Sequence, residues 1–147
     1  VKEGKLGAVG EITRVECGLI LELLKSGVIP VIAPIGVDEE GKIYNINADM
    51  AAGALASALH AEKLILLTDV QGVMDKTDKL LSSLHAGEAN RLIKQGAISG
   101  GMIPKVKCCL EALRAGVGKA HIIDGRKSHS ILLEIFTDKG LGTEIYL

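Results

Sequence analysis

The chain has 147 residues, 48% of them apolar, with 17 Lys and Arg against 18 Asp and Glu. That length has room for a core of its own. Near-neutral charge and only three aromatic residues, Tyr44, Tyr146 and Phe136, leave no electrostatic footprint for nucleic acid and no stacking platform for bases. The longest apolar stretch, VIPVIAPI at 28–35, is too short and too interrupted by proline to cross a bilayer, so no membrane role is expected.

No basic-then-apolar leader precedes VKEGKLG, so nothing marks export. Cys17, Cys108 and Cys109 are odd in number and lack metal-type spacing. They read as free thiols in a reducing compartment, which gives an expectation of a cytoplasmic protein with no metal site. The first residue is Val rather than Met, which suggests that an N-terminal portion is missing.

In chain order, VGEITRV (9–15) has strand character, and GLILELLKSG (18–27) is an amphipathic helix closed by Gly27. VIPVIAP (28–34) is a continuous apolar run of the kind expected of a strand covered on both faces. GVDEEGKIYN (36–45) reads as a polar hairpin, and ADMAAGALASALH (48–60) as a helix whose small residues permit close packing. KLILLTD (63–69) is the clearest buried strand. A loop follows, then helical patterns at 85–96 and 101–116, the second with Ile103, Val106, Cys109, Leu110 and Leu113 at helical spacing. KAHIIDG (119–125) is another short strand, SHSILLEIF (128–136) a helix, then a turn beginning at Thr137 or Asp138, and TEIYL (143–147) a last strand. Strands alternating with helices predict an α/β fold with a mainly parallel sheet between helical layers, in one domain spanning 1–147. Ligands of such folds bind beyond the carboxyl ends of the strands.

Three loops at strand ends carry unusual chemistry. In TDVQGV (68–73), Thr68 and Asp69 end a strand and Gly72 frees the backbone to turn. That suits a nucleotide's ribose and phosphates, and it equally suits an ordinary polar turn. ISGGMIPK (98–105) opens onto a helix with Lys105 near its first turn, where its charge opposes the helix dipole. The lysine makes sense if an anion binds there, or if it simply faces solvent. In YNINAD (44–49), Asn47 can cap the following helix and Asp49 complements its dipole, leaving Asn45 unexplained and Asp49 free to organise a cation such as Lys105.

Taken together and in order, VIPVIAPIGVDE, YNINAD, AEKLILLTDVQGV, ISGGMIPKV, HIIDGR and HSILLEIFTDKGLGT resemble the C-terminal half of the acetylglutamate kinases, a branch of the amino acid kinases. The likeness spans essentially the whole chain. It implies a three-layer αβα sandwich, and transfer of phosphate from ATP, with Mg2+ held by the nucleotide, to the γ-carboxylate of N-acetyl-L-glutamate in arginine biosynthesis. By the same resemblance Asn45 would bind the substrate, Lys105 would stabilise the transferring phosphoryl group and Asp49 would orient it. Asp69, Val70, Gly72, Val73, Met74, Ala97, Ile98 and Ser99 would hold the nucleotide, with Gly100 and Gly101 giving close backbone approach. The tail is similar to that of arginine-inhibited members, which would place His129, Glu134, Gly140 and Gly142 around L-arginine. KVKCC is similar to the plant and cyanobacterial branch, whose members bind the nitrogen-signalling protein PII. Were the source a plant or alga, the expected location would be the plastid rather than the cytoplasm. The full enzyme would be a homo-oligomer. The family's N-terminal lobe, with its second catalytic lysine, has no counterpart in these residues, so the chain alone is expected to be inactive. Two other readings remain: a regulatory module holding nucleotide or arginine without catalysis, and a lobe of a different amino acid kinase.

Overall fold

The computed structural model describes residues 2–4, 7–137 and 140–147, so Asp138, where one end of the predicted turn was placed, lies outside the described residues. Two four-stranded sheets carry the helices. The first has the order β1 (Lys2–Gly4), β2 (Gly7–Val9), β4 (Ile43–Asn45), β3 (Ile35–Val37). Strands β3 and β4 form the predicted antiparallel hairpin, with Gly36 opposite Tyr44. Its turn is held by Asp38, whose carboxylate accepts from the Glu40 and Lys42 amides and the Tyr44 hydroxyl. Helix α1 (Gly18–Lys25) precedes the hairpin and ends as predicted, with Gly27 at φ 75° and its amide donating to Leu24.

The second sheet has the order β5 (Lys63–Thr68), β7 (Lys119–Asp124), β8 (Thr143–Tyr146), β6 (Ser83–His85). Strands β5 and β7 run parallel over six residue pairs, β6 and β8 are also parallel, and only β7 and β8 are antiparallel. This mainly parallel sheet carries helices on both faces. Leu64 and Leu66 of β5, with Ala120 and Ile122 of β7, turn to the face covered by α2 (Ala48–Ala58), α3 (Ala86–Lys94) and α4 (Met102–Arg114). His121, on the alternate face of β7, meets Glu134 of α5 (Ser130–Phe136). Helix α4 is the centrepiece, burying Val106, Cys108, Cys109, Leu110, Ala112 and Leu113. Each fully buried aliphatic side chain there contributes about 1.5–3 kcal/mol through water exclusion. The small residues of α2 let it lie close to α4, and a Cβ added at Gly53 would come within 2.6 Å of Cys108 Sγ.

Two predicted strands are corrected. In VGEITRV only Val9 belongs to a strand; beyond the Gly10 amide, which donates to the Asn45 carbonyl, the segment to Glu16 has no ladder to join. VIPVIAP is neither strand nor buried: Ile29 is 86% and Val31 97% exposed. Burial on two faces needs elements above and below, and none of the described residues supplies them, while Pro30 and Pro34 remove two amides from any ladder. Helix α1 buries no residue either. Strand β6 (Ser83–His85) falls where the sequence predicts loop. It is three residues long and mostly polar, and only Leu84 between Ser83 and His85 packs into the core. None of the described helices is long and apolar enough to cross a membrane.

Candidate functional site

Helices α2 and α4 each lead into a strand of the parallel pair β5 and β7, so both run against those strands. Their N-termini therefore lie at the strands' carboxyl ends, where Thr68 and Asp124 are register partners. Asp49 sits in the first turn of α2, whose cap is Asn47 as predicted: its side chain accepts from the Met50 amide at 3.1 Å. Lys105 sits in the first turn of α4. Across the helix pair, Lys105 Nζ donates to both Asp49 oxygens at 2.9 and 3.0 Å, with the two side chains about one-fifth exposed. The two motifs, 56 residues apart in sequence, thus meet.

The start of α4 contrasts with those of α2 and α3, which the Asn47 and His85 side chains cap, and resembles those of α1 and α5. No side chain caps it, and no acidic residue stands in its first turn. Gly100 takes φ 54°, and a Cβ at Gly100 or Gly101 would meet nothing within 4 Å. The Met102 and Ile103 amides donate to the Ser99 and Gly100 carbonyls, and Pro104 has no amide hydrogen, so what the helix start offers an anion is the open backbone at Gly100 and Gly101 beside an ammonium.

The remaining predicted residues divide by what holds them. Asn45 ends β4 with its side chain exposed, while its backbone bonds to Gly10. Thr68 donates to Asp69 at 3.3 Å, and Asp69 and Val70 are exposed. Gly72 and Val73 are structural: the Val73 amide donates to Thr143 Oγ1 at 2.8 Å, and a Cβ at Gly72 would fall 2.7 Å from that oxygen. Met74 bridges to Leu80. Ala97 and Ile98 close α3 through their amides to Leu92, with Ile98 in the core, while Ser99 is exposed beside Gly100.

At the tail, the structure brings Glu134 to Gly140 and to His121. His121 Nδ1 lies 2.6 Å from Glu134 Oε1, and the Leu141 amide donates to Glu134 Oε2 at 2.7 Å. A Cβ on Gly140 would be 3.1 Å from the same carboxylate. Burial pulls His121 below its ordinary range, and among the described residues its buried Nε2 has no hydrogen-bond partner. His129 instead holds a left-handed turn, φ 60°, before α5 and is exposed. Gly142 serves packing, since a Cβ there would strike the Ile122 carbonyl oxygen. In KVKCC, only Lys107 is exposed; Val106, Cys108 and Cys109 face the core.

Sequence reasoning missed Asp124 and Arg126. They line a cavity of about 640 Å3 beside the carboxyl end of β7, together with Gln71, Leu80, Ser82, Lys127 and Gly140 to Gly142. Arg126 grips Asp124 through two side-chain bonds of 2.9 and 2.8 Å and one amide bond of 3.0 Å, holding the carboxyl down to about 2. The signal was present: HIIDGR ends an apolar strand in a carboxylate and a glycine, just as KLILLTDVQG does.

Residues 1–124 match the amino acid kinase family. The chain is similar to the acetylglutamate kinase of Heliobacterium modesticaldum, 59% identical over an alignment of 143 residues, with 95% of this chain and 48% of that one covered. The chain thus spans about half the length of the curated relatives it matches. Among solved structures it is similar to the N-acetylglutamate synthase of Neisseria gonorrhoeae complexed with coenzyme A and L-arginine (TM-score 0.88, 30% identity, 95% of this chain and 32% of that one). It is also similar to carbamate kinase from Giardia lamblia bound to AMP-PNP (TM-score 0.66, 25% identity, 89% and 43%). With the family match covering most of its length and the fold in agreement, the chain belongs to the amino acid kinase family.

Proposed function

We propose that this chain is the nucleotide-binding lobe of an acetylglutamate kinase, transferring the γ-phosphoryl group of ATP to the γ-carboxylate of N-acetyl-L-glutamate once an N-terminal lobe completes the site. The observation that carries it is the Lys105–Asp49 pair at an uncapped, glycine-opened helix start. In the reaction a carboxylate oxygen of the substrate bonds to the γ-phosphorus while the bond from that phosphorus to the bridging oxygen breaks, releasing ADP. No side-chain nucleophile is required. Lys105 neutralises charge on the phosphoryl oxygens, Asp49 keeps the ammonium in place, and the open backbone at Gly100 and Gly101 receives the phosphates. Thr68, Asp69 and Val70 offer polar and backbone contacts at the same edge, and Asn45 holds the substrate. In this reading Mg2+ arrives on the nucleotide's own phosphates. The exposed apolar strip from α1 to β3 supports the reading of a lobe that packs on another. Calorimetric titration with MgATP tests it: binding that Lys105→Met weakens at least tenfold is expected, a tenfold change being 1.4 kcal/mol, and unchanged affinity in that variant overturns the assignment.

L-Arginine is a second ligand to test, because the similar synthase was solved with it and because a buried carboxylate, Glu134, is bound to the 140–142 loop at the cavity wall. Glu134→Gln abolishing the heat of an arginine titration supports that reading, and no heat from the parent chain contradicts it.

A further inference from the structure

Beside the Asp49–Lys105 pair lies a second contact between the same two helices. Cys108 Sγ donates to the Asp49 backbone carbonyl at 2.9 Å, and the same sulfur occupies the space that a side chain on Gly53 would fill. The spacing makes these contacts adjacent rungs. Lys105 and Cys108 are three apart on α4, and Asp49 and Gly53 four apart on α2, so each pair shares one face of its helix. Burial pushes the Cys108 thiol up to about 11, so it keeps its proton and remains a donor.

We propose that Cys108 is a positioning residue for the ion pair: its thiol fastens the backbone of Asp49 while Gly53 admits its sulfur, setting the separation of α2 and α4 at which the Lys105 ammonium reaches both carboxylate oxygens. A longer separation would break the two-oxygen grip first, because the lysine is anchored one turn from the sulfur. Alanine at 53 would force the helices apart or displace the sulfur. Alanine at 108 would remove the fastening, and serine would keep a hydroxyl donor at the same place.

This inference rests on the reading of Lys105 as the phosphate-handling group, but its test needs no nucleotide. Lysine acylation by N-succinimidyl acetate at fixed pH, read by peptide mass spectrometry well below Tm, reports how firmly Asp49 holds each ammonium. Lys105 is expected to react severalfold faster in Cys108→Ala and in Gly53→Ala, and at close to the parent rate in Cys108→Ser, with exposed Lys107 unchanged throughout. A Cys108→Ala or Gly53→Ala chain with lowered Tm but an unchanged Lys105 rate would show that the contact is packing alone and overturn the proposal. A Cys108→Ser chain in which Lys105 reacts severalfold faster than in the parent would overturn the hydrogen-bond role. MgATP titration of the parent chain decides the role of Lys105 separately, so the two failures are distinguishable.

Discussion

Two apolar stretches of this chain read almost alike and end in opposite environments. KLILL in β5 pairs with β7 and places Leu64 and Leu66 at 5% and 4% exposure beneath α2 and α4. VIPVI, 35 residues earlier, leaves Ile29 and Val31 in the open. The difference lies in what surrounds each. The first is flanked within the chain by the helices that cover it and the strand that pairs with it, whereas the second has its partners nowhere among the described residues. An apolar run specifies a demand for cover, and where the cover comes from is a separate question. Here about half of each similar kinase lies outside the region matched, which is where we place the missing cover.

The contrast can be broken most sharply on its covered side. Ile122 is fully buried between α4 and the sheet. Ile122→Asp would place a carboxylate without a partner there and destabilise the chain by about 4 kcal/mol or more, read as loss of the cooperative urea transition. On the other face of the same strand, His121 gives a pH effect. Its folded value is depressed below 6.5 by burial, so the unfolded chain binds the proton more readily, and stability present above pH 6.5 is lost as pH falls through the folded value. The Tm of the parent should drop as pH is lowered from 7 to 5, and His121→Gln should flatten that dependence. At the joint between the two regions, Asn47→Ala removes the α2 cap and should destabilise by about 1 kcal/mol in the same urea assay. The smallest effect belongs to the uncovered strip. Val31→Asp should leave the Tm of the isolated chain within error, since a residue 97% exposed gives up no burial. Fluorescence anisotropy should show that the same change weakens association with a separately expressed N-terminal half.

Much of the second sheet was legible because each element there carries its own period and its own cover within the chain. Strands β5 and β7, helices α2 and α4 and the glycine-closed α1 all stand close to where pattern and capping place them. Strand β6 was not legible, because three residues with one apolar side chain cannot display a period. The cap role of Asn47 and the pairing of Asp49 with Lys105 could be expected from residue chemistry and resemblance, but their meeting needed coordinates. The contact of His121 with Glu134 was invisible for the same reason: alternation marks which face a strand residue takes, not which helix lies over that face. Asp124 and Arg126 carry a legible signal, since their strand-end setting repeats that of Thr68 and Asp69.

The central claim is that this chain supplies the nucleotide side of a two-lobed kinase. Its most direct measurement mixes the chain with the separately expressed N-terminal half of the Heliobacterium modesticaldum relative, MgATP and N-acetyl-L-glutamate, and follows acyl phosphate as the hydroxamate. The account predicts product from the mixture, none from either half alone, and none when Lys105→Met replaces the parent chain. Full turnover by this chain alone, or equal turnover with Lys105→Met, would contradict it.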